Sequence, residues 1–201
     1  QANNEIAAAV LKTEGLHVVQ PLLKVVQFTQ QHRGLSAGVL GGNSEIQTQR
    51  EAKQSETDQA FSALDAIVEH KANVPGISAS WQQARQHWKT LRSNVTNRSI
   101  TVPESYQSHT ALVAELLLLD ELLSDHFGLS FDPDAYAYHV TSAAVVNGPS
   151  FTEDLGKIRA KGAGILAQKV ISPDDRAIMA ALVAKAKERL QALQRTFDKA
   201  I

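Results

Sequence analysis

Residues 172–200 read SPDDRAIMAALVAKAKERLQALQRTFDKA. Ser172 supplies a side-chain oxygen for an N-cap. Pro173 suits the first helical position, where no N–H partner is needed, and Asp174 and Asp175 complement the positive end of the helix dipole. Beyond them Met179, Leu182, Ala186, Leu190, Leu193, Phe197 and Ala200 recur every three or four residues, the period of one helix face. The same step recurs upstream: Trp81, Ala84, Trp88, Leu91 and Val95; Leu112, Leu116, Leu119, Leu123 and Phe127; Ala60, Leu64 and Ile67. Long runs of β-alternation, which a hairpin would need on both sides of its turn, are absent.

Breakers divide the pattern. Gly41-Gly42-Asn43 ends a first helix and Asn73-Val74-Pro75-Gly76 a second. Thr101-Val102-Pro103-Glu104 offers a capping box, Gly128 closes that helix, and Asp132-Pro133-Asp134 caps the next. Asn147-Gly148-Pro149 must kink that helix, and Pro21 should bend the first. The spacing predicts six helices over 2–40, 44–72, 78–96, 103–128, 133–168 and 173–201. The fold class is all-α: an elongated up-down bundle, three of its helices long, arranged like a stacked four-helix-bundle sensor module. A helix of about 38 residues spans roughly 57 Å, which suits an elongated bundle.

Composition removes whole classes of function. The 201 residues carry 20 Lys+Arg against 21 Asp+Glu, a net charge of −1, without the basic excess of a nucleic-acid binder. No cysteine is present, so disulfides, thiolate metal sites and cysteine nucleophiles are excluded. There is no glycine-rich phosphate loop, nucleophile elbow or His-Glu-x-x-His motif. The reading therefore assigns no catalytic residue, no metal and no cofactor. His70, His87 and His109 meet only the weak criterion for a phosphotransfer histidine, an exposed position on a helix face. No stretch reaches the 18 or so apolar residues that span a bilayer. The chain opens on Gln1 and its one methionine is Met179, and the apolar stripes run to both ends. The expectation is a piece cut from a longer protein, its terminal helices continuing into membrane spans.

Two arginines stand where periodicity calls for carbon. The first helix presents Leu16, Val19, Leu23, Val26, Gln30, Arg33, Ala37 and Leu40 in alternating steps of three and four. Gly34, Ala37 and Gly38 surround Arg33, and His32 and Ser36 flank it. The fifth helix presents Leu155, Arg159, Gly162 and Leu166, with Gly156, Ala160, Ala163 and Gly164 about Arg159. A buried guanidinium costs several kcal/mol, on the order of the penalty for any buried ion, unless it is paired. Two guanidinium groups converging between these helices would repel, and a planar oxyanion between them would match their forks in shape and charge. The alternative is an internal acid, for which Asp120 on the fourth helix is the obvious partner.

Gln30-Gln31-His32-Arg33-Gly34-Leu35-Ser36-Ala37-Gly38-Val39-Leu40 resembles the arginine-glycine-leucine-serine signature of the NIT, or nitrate- and nitrite-sensing, domain family. Leu155-Gly156-Lys157-Ile158-Arg159-Ala160-Lys161-Gly162 resembles the family's second arginine motif. Residues 129–138 are similar to a phrase that precedes that helix in many bacterial chemoreceptor and sensor-kinase ectodomains. In one departure, the earlier position of the first motif, where members usually carry a second arginine, holds Gln31 or His32. The resemblance implies a single helical sensor domain over 1–201, periplasmic, often a homodimer, in a membrane-spanning parent chain. It implies a small anion as ligand and a role in chemotaxis or two-component signalling. The candidate ligand-binding residues are Arg33, Arg159, His32, Ser36 and Gln30. A helical interaction module without a small-molecule ligand is the competing reading.

Overall fold

The structure, a computed structural model, describes residues 2–200. Its elements are α1 (Ala2–Leu40), α2 (Gln47–Lys71), α3 (Pro75–Thr96), α4 (Val102–His126), α5 (Ala135–Thr141), α6 (Gly148–Gln168) and α7 (Pro173–Asp198), with a single 3-10 turn at Ser44–Ile46. Among the described residues there is no strand. A π-helical stretch, Ser142–Asn147, joins α5 to α6 without a loop, so the six predicted helices are present. The Gly148 N–H bonds the Ala143 carbonyl, five residues back. This wider turn accommodates Pro149, which has no N–H to donate. α1, by contrast, stays helical through Pro21.

The local signals explain most boundaries. Thr101 with Glu104 and Ser172 with Asp175 form reciprocal capping boxes. Asp134 accepts from the Ala137 N–H at 2.8 Å. Gly42, at φ +108°, ends α1 in the left-handed conformation that glycine adopts without a Cβ clash. α3 begins at Pro75, earlier than the predicted 78, because Pro75 serves at the helix start and Ile77 joins the core. The predicted end of the last helix at Ile201 lies outside the described residues.

α1 is the common neighbour, touching α2, α4 and α6. Paired contacts give the directions. His32 meets His109 and Gly15 meets Phe127, so α1 and α4 are antiparallel. Gln30 meets Glu153 and Gly41 meets Ala167, so α1 and α6 run parallel. α2 and α3 close one side of α1 and α4, and α6 with α7 close the other. The α2–α3 side holds the main apolar core. Phe61 is stacked between Trp81 and Trp88 at 5.3 and 5.6 Å, against Leu64, Leu91, Leu112 and Leu116. Each indole N–H donates to an acid of α2, Trp81 to Asp65 and Trp88 to Asp58, both at 2.7 Å. Fully burying one such side chain contributes roughly 2–3 kcal/mol.

The buried face of α1 runs through Val18, Val19, Leu22, Val25 and Val26, while Leu16 is 40% exposed. The predicted stripe was one face wide, and α1 buries more than one face because it has neighbours on three sides. On α6 the buried stripe is Pro149, Glu153, Gly156, Ala160 and Gly164. The predicted stripe lies beside it: Leu155 is 45% and Leu166 77% exposed. Small residues on α6 let its backbone approach α1, and the larger apolar residues are left outside the contact.

Candidate anion-binding site

Arg33 is fully buried, as its place on α1 predicts. Its partner is not Asp120. Glu153 of α6 takes a bidentate pair from Arg33, Nη1 to Oε1 at 2.8 Å and Nη2 to Oε2 at 3.0 Å. Gln30 Nε2 donates to the same Oε2 at 3.0 Å, and Arg33 Nη1 also donates to Thr110 Oγ1 at 3.0 Å. Two oxygens of one planar carboxylate thus receive three N–H donors from one turn of α1. Arg33 Nε is buried with no hydrogen-bond partner. Asp120 stays buried without an ion pair among the described residues, and burial foremost, with Glu121 adding repulsion, pushes its carboxyl up to about 7. The prediction failed because residues on α4 and α1 were matched by type, whereas the packing set α6 against Arg33.

Arg159 lies one face round from Glu153, on the open side of α6. A Cβ built on Gly34 would be 3.4 Å from Arg159 Nε, so the glycine after Arg33 is the surface across which Arg159 lies. Arg159 lines a cleft of about 480 Å³ between α1 and α6, with Gln27, Gln30, Gln31, Thr152, Gly156 and Pro149 among its walls. Among the described residues no carboxylate pairs with it. Partial burial first, and the nearby Arg33 charge second, lower its affinity for a proton. A guanidinium facing three amide side chains and a hydroxyl is a setting for a small planar anion.

Gly156 forms the wall between the two arginines. A Cβ there would stand 2.7 Å from Arg33 Nη2, a distance that real Cβ atoms do not show. Gln30 lines the cleft as well as holding Glu153. Arg33, Gln30 and Arg159 therefore form one connected group.

His32 and Ser36 are placed elsewhere. His32 faces α3 and α4: its Nδ1 lies 2.8 Å from His109 Nε2, and its ring meets Trp88 edge-on at 5.0 Å. Ser36 Oγ lies 3.3 Å from His32 Nδ1. His109 Nδ1 lies 2.7 Å from the Ser105 carbonyl, which can only accept, so Nδ1 carries the proton and Nε2 accepts from His32. Burial lowers both imidazoles below their ordinary value, His109 to about 3, and both are neutral at pH 7. His109 is also fully buried, which removes it as an exposed phosphotransfer residue.

Glu153, Thr110, Gln27, Gln31 and Thr152 were missed in the sequence. Glu153 carried a usable signal, because it lies on a 4-3-4-4 stripe that runs from Pro149 through Gly156 and Ala160 to Gly164, an acid at a core position. The second arginine motif drew attention to the neighbouring face instead.

Comparison with known proteins bears on the family and the fold. The family model described as "Nitrate and nitrite sensing" matches residues 24–201, and the chain belongs to that NIT family of sensor modules. A solved structure described as "Structure of the NasR transcription antiterminator" is similar over 97% of this chain, with a TM-score of 0.75 at 19% identity. That likeness concerns the fold, and this chain spans 55% of that protein's length. No match was found among curated proteins. Among the described residues, no helix is long and apolar enough to cross a membrane.

Proposed function

We propose that residues 1–201 form one non-catalytic sensor domain that binds a small planar anion, nitrate or nitrite first and a carboxylate second, in the cleft between α1 and α6. Arg159 is the primary ligand, Gln27, Gln30 and Gln31 orient the anion, and Arg33 adds its charge from behind Gly156. The observation that carries this reading is Arg159 itself, a cation without a carboxylate partner among the described residues, in a cleft whose mainly apolar walls include three amide side chains. The fold would report occupancy by population shift. An anion bridging α1 and α6 favours one packing of these helices, and coupling of this kind typically takes about 1–3 kcal/mol.

In the same reading the domain is a periplasmic homodimer, the ectodomain of a membrane-spanning receptor acting in chemotaxis or through a kinase. Family membership supports the sensing role, and the long α1 supports transmission of a helix displacement. Thermal melts with sodium nitrate, nitrite, acetate and chloride test the anion site. Nitrate should raise the melting temperature of the wild type and not of Arg159→Ala, with chloride inert in both. An undiminished nitrate response in Arg159→Ala would remove the site assignment. For the receptor role, apolar runs of about 20 residues should flank the segment in the full protein.

A further inference from the structure

We infer that Glu153 is an internal substitute for the ligand, a carboxylate that occupies the Arg33–Gln30 donor set and must yield it when an external anion binds. This rests on the anion-site reading above and specifies what sets its affinity. A carboxylate and a nitrate ion both present oxygens in one plane to a guanidinium fork. Glu153 already takes the bidentate pair from Arg33 at 2.8 and 3.0 Å and the Gln30 amide at 3.0 Å. Two of the groups that contact this set, Gln30 and Gly156, are also walls of the cleft that holds Arg159. The occupied donor set and the open cleft are therefore separated by one glycine and one movable amide. Arg33 Nε is buried and without a partner among the described residues, so Glu153 and Thr110 do not saturate the guanidinium.

Glu153 has somewhere to go. Lys157 Nζ stands 3.6 Å from its Oε1, one turn along the same helix. A second cavity of about 130 Å³, lined by Thr110, Glu153, Asp154, Lys157 and Arg189, opens on that side. An anion beside Arg33 would repel the carboxylate, and moving Glu153 toward Lys157 keeps both charges paired. The next residue, Asp154, holds α7 through Arg189 at 2.6 Å. A shift at Glu153 is thus one residue from one of the ion pairs that hold α7.

Calorimetric titration with sodium nitrate, in a sodium chloride background of constant ionic strength, tests the exchange in wild type, Glu153→Gln, Glu153→Asp and Arg159→Ala. Removing the competing charge should tighten nitrate binding in Glu153→Gln by about tenfold or more. The shorter Glu153→Asp, which keeps the charge but loosens the fork, should fall between the two and serves alone if the glutamine variant does not fold. A purely structural Glu153 predicts the opposite, weaker binding in both variants. Nitrate binding in wild type that is lost in Arg159→Ala but unchanged or weakened at position 153 overturns the exchange and leaves the cleft reading standing. Nitrate binding that appears only in the position-153 variants supports it. No nitrate binding in wild type or in either position-153 variant overturns both.

Discussion

The two sides of α1 are built on different physics. Toward α2, α3 and α4 it meets stacked aromatic rings and leucines, and its His32 pairs with a neutral His109, each polar hydrogen of the tryptophans satisfied by an acid nearby. Toward α6 it meets glycines, an alanine and an ion pair. Buried carbon has no competitor in solution, so the first side is expected to keep its arrangement when an anion binds. A buried carboxylate does have competitors, because a dissolved anion carries the same charge and can take the same donors. In the proposed reading, the scaffold and the responsive surface are opposite faces of one helix.

Substitutions should separate the two faces. The largest loss is expected on the scaffold side. Phe61→Ala removes the ring between Trp81 and Trp88 and should cost about 3–5 kcal/mol in urea denaturation, while the folded fraction keeps its nitrate response. On the other side, Arg33→Ala leaves Glu153 buried without its main partner and should cost about 3 kcal/mol or more. The double variant Arg33→Met with Glu153→Leu should recover most of that loss, since an apolar pair of similar volume carries no desolvation penalty. A double variant no more stable than the single would mean that the ion pair itself holds α6 in place.

Buried titratable groups should mark the scaffold in its pH profile. His32 and His109 have folded-state proton affinities below their unfolded value of about 6.5. Their contribution is therefore complete above that pH and is lost as pH falls from 6.5 toward about 3. Asp120 has the opposite sign. Its carboxyl is raised to about 7, so the fold is favoured while it is protonated and loses stability as pH rises from the ordinary carboxylate range through 7. Asp120→Asn should therefore stabilise the protein at pH 8, by up to a few kcal/mol on the order of the shift, and change little at pH 4. An equal effect at both pH values would show that the gain is packing rather than charge. The smallest stability change belongs to Arg159→Ala, within about 0.5 kcal/mol as for other exposed positions, although this variant should lose the whole nitrate response.

How much of this was legible depends on the range of the interaction. Thr101, Ser172 and Gly42 each act on backbone groups within a few residues, and the sequence placed them correctly; the cap of α5 is Asp134, so that helix starts at Ala135, two residues after the predicted 133. Arg33 was legible as a buried cation because helical period alone sets which face it shares. Its partner was not. Glu153 is 120 residues away, and Asp120 was an equal candidate by charge and periodicity. On α6, two adjacent stripes satisfied the helical period, and only contact with α1 decided that the small-residue stripe is buried.

By itself, then, the sequence determined the helices, most of their caps, the family and the burial of Arg33, because each follows from local spacing or a contiguous motif, whereas Arg159, expected on a core stripe, is exposed. Only the tertiary structure decided that Arg33 is held by Glu153, that Arg159 faces a cleft, and that His32 and Ser36 belong to the opposite side of α1. Those outcomes depend on which helix faces meet. Each is fixed by the sum of contacts along whole helices rather than by any short run of residues.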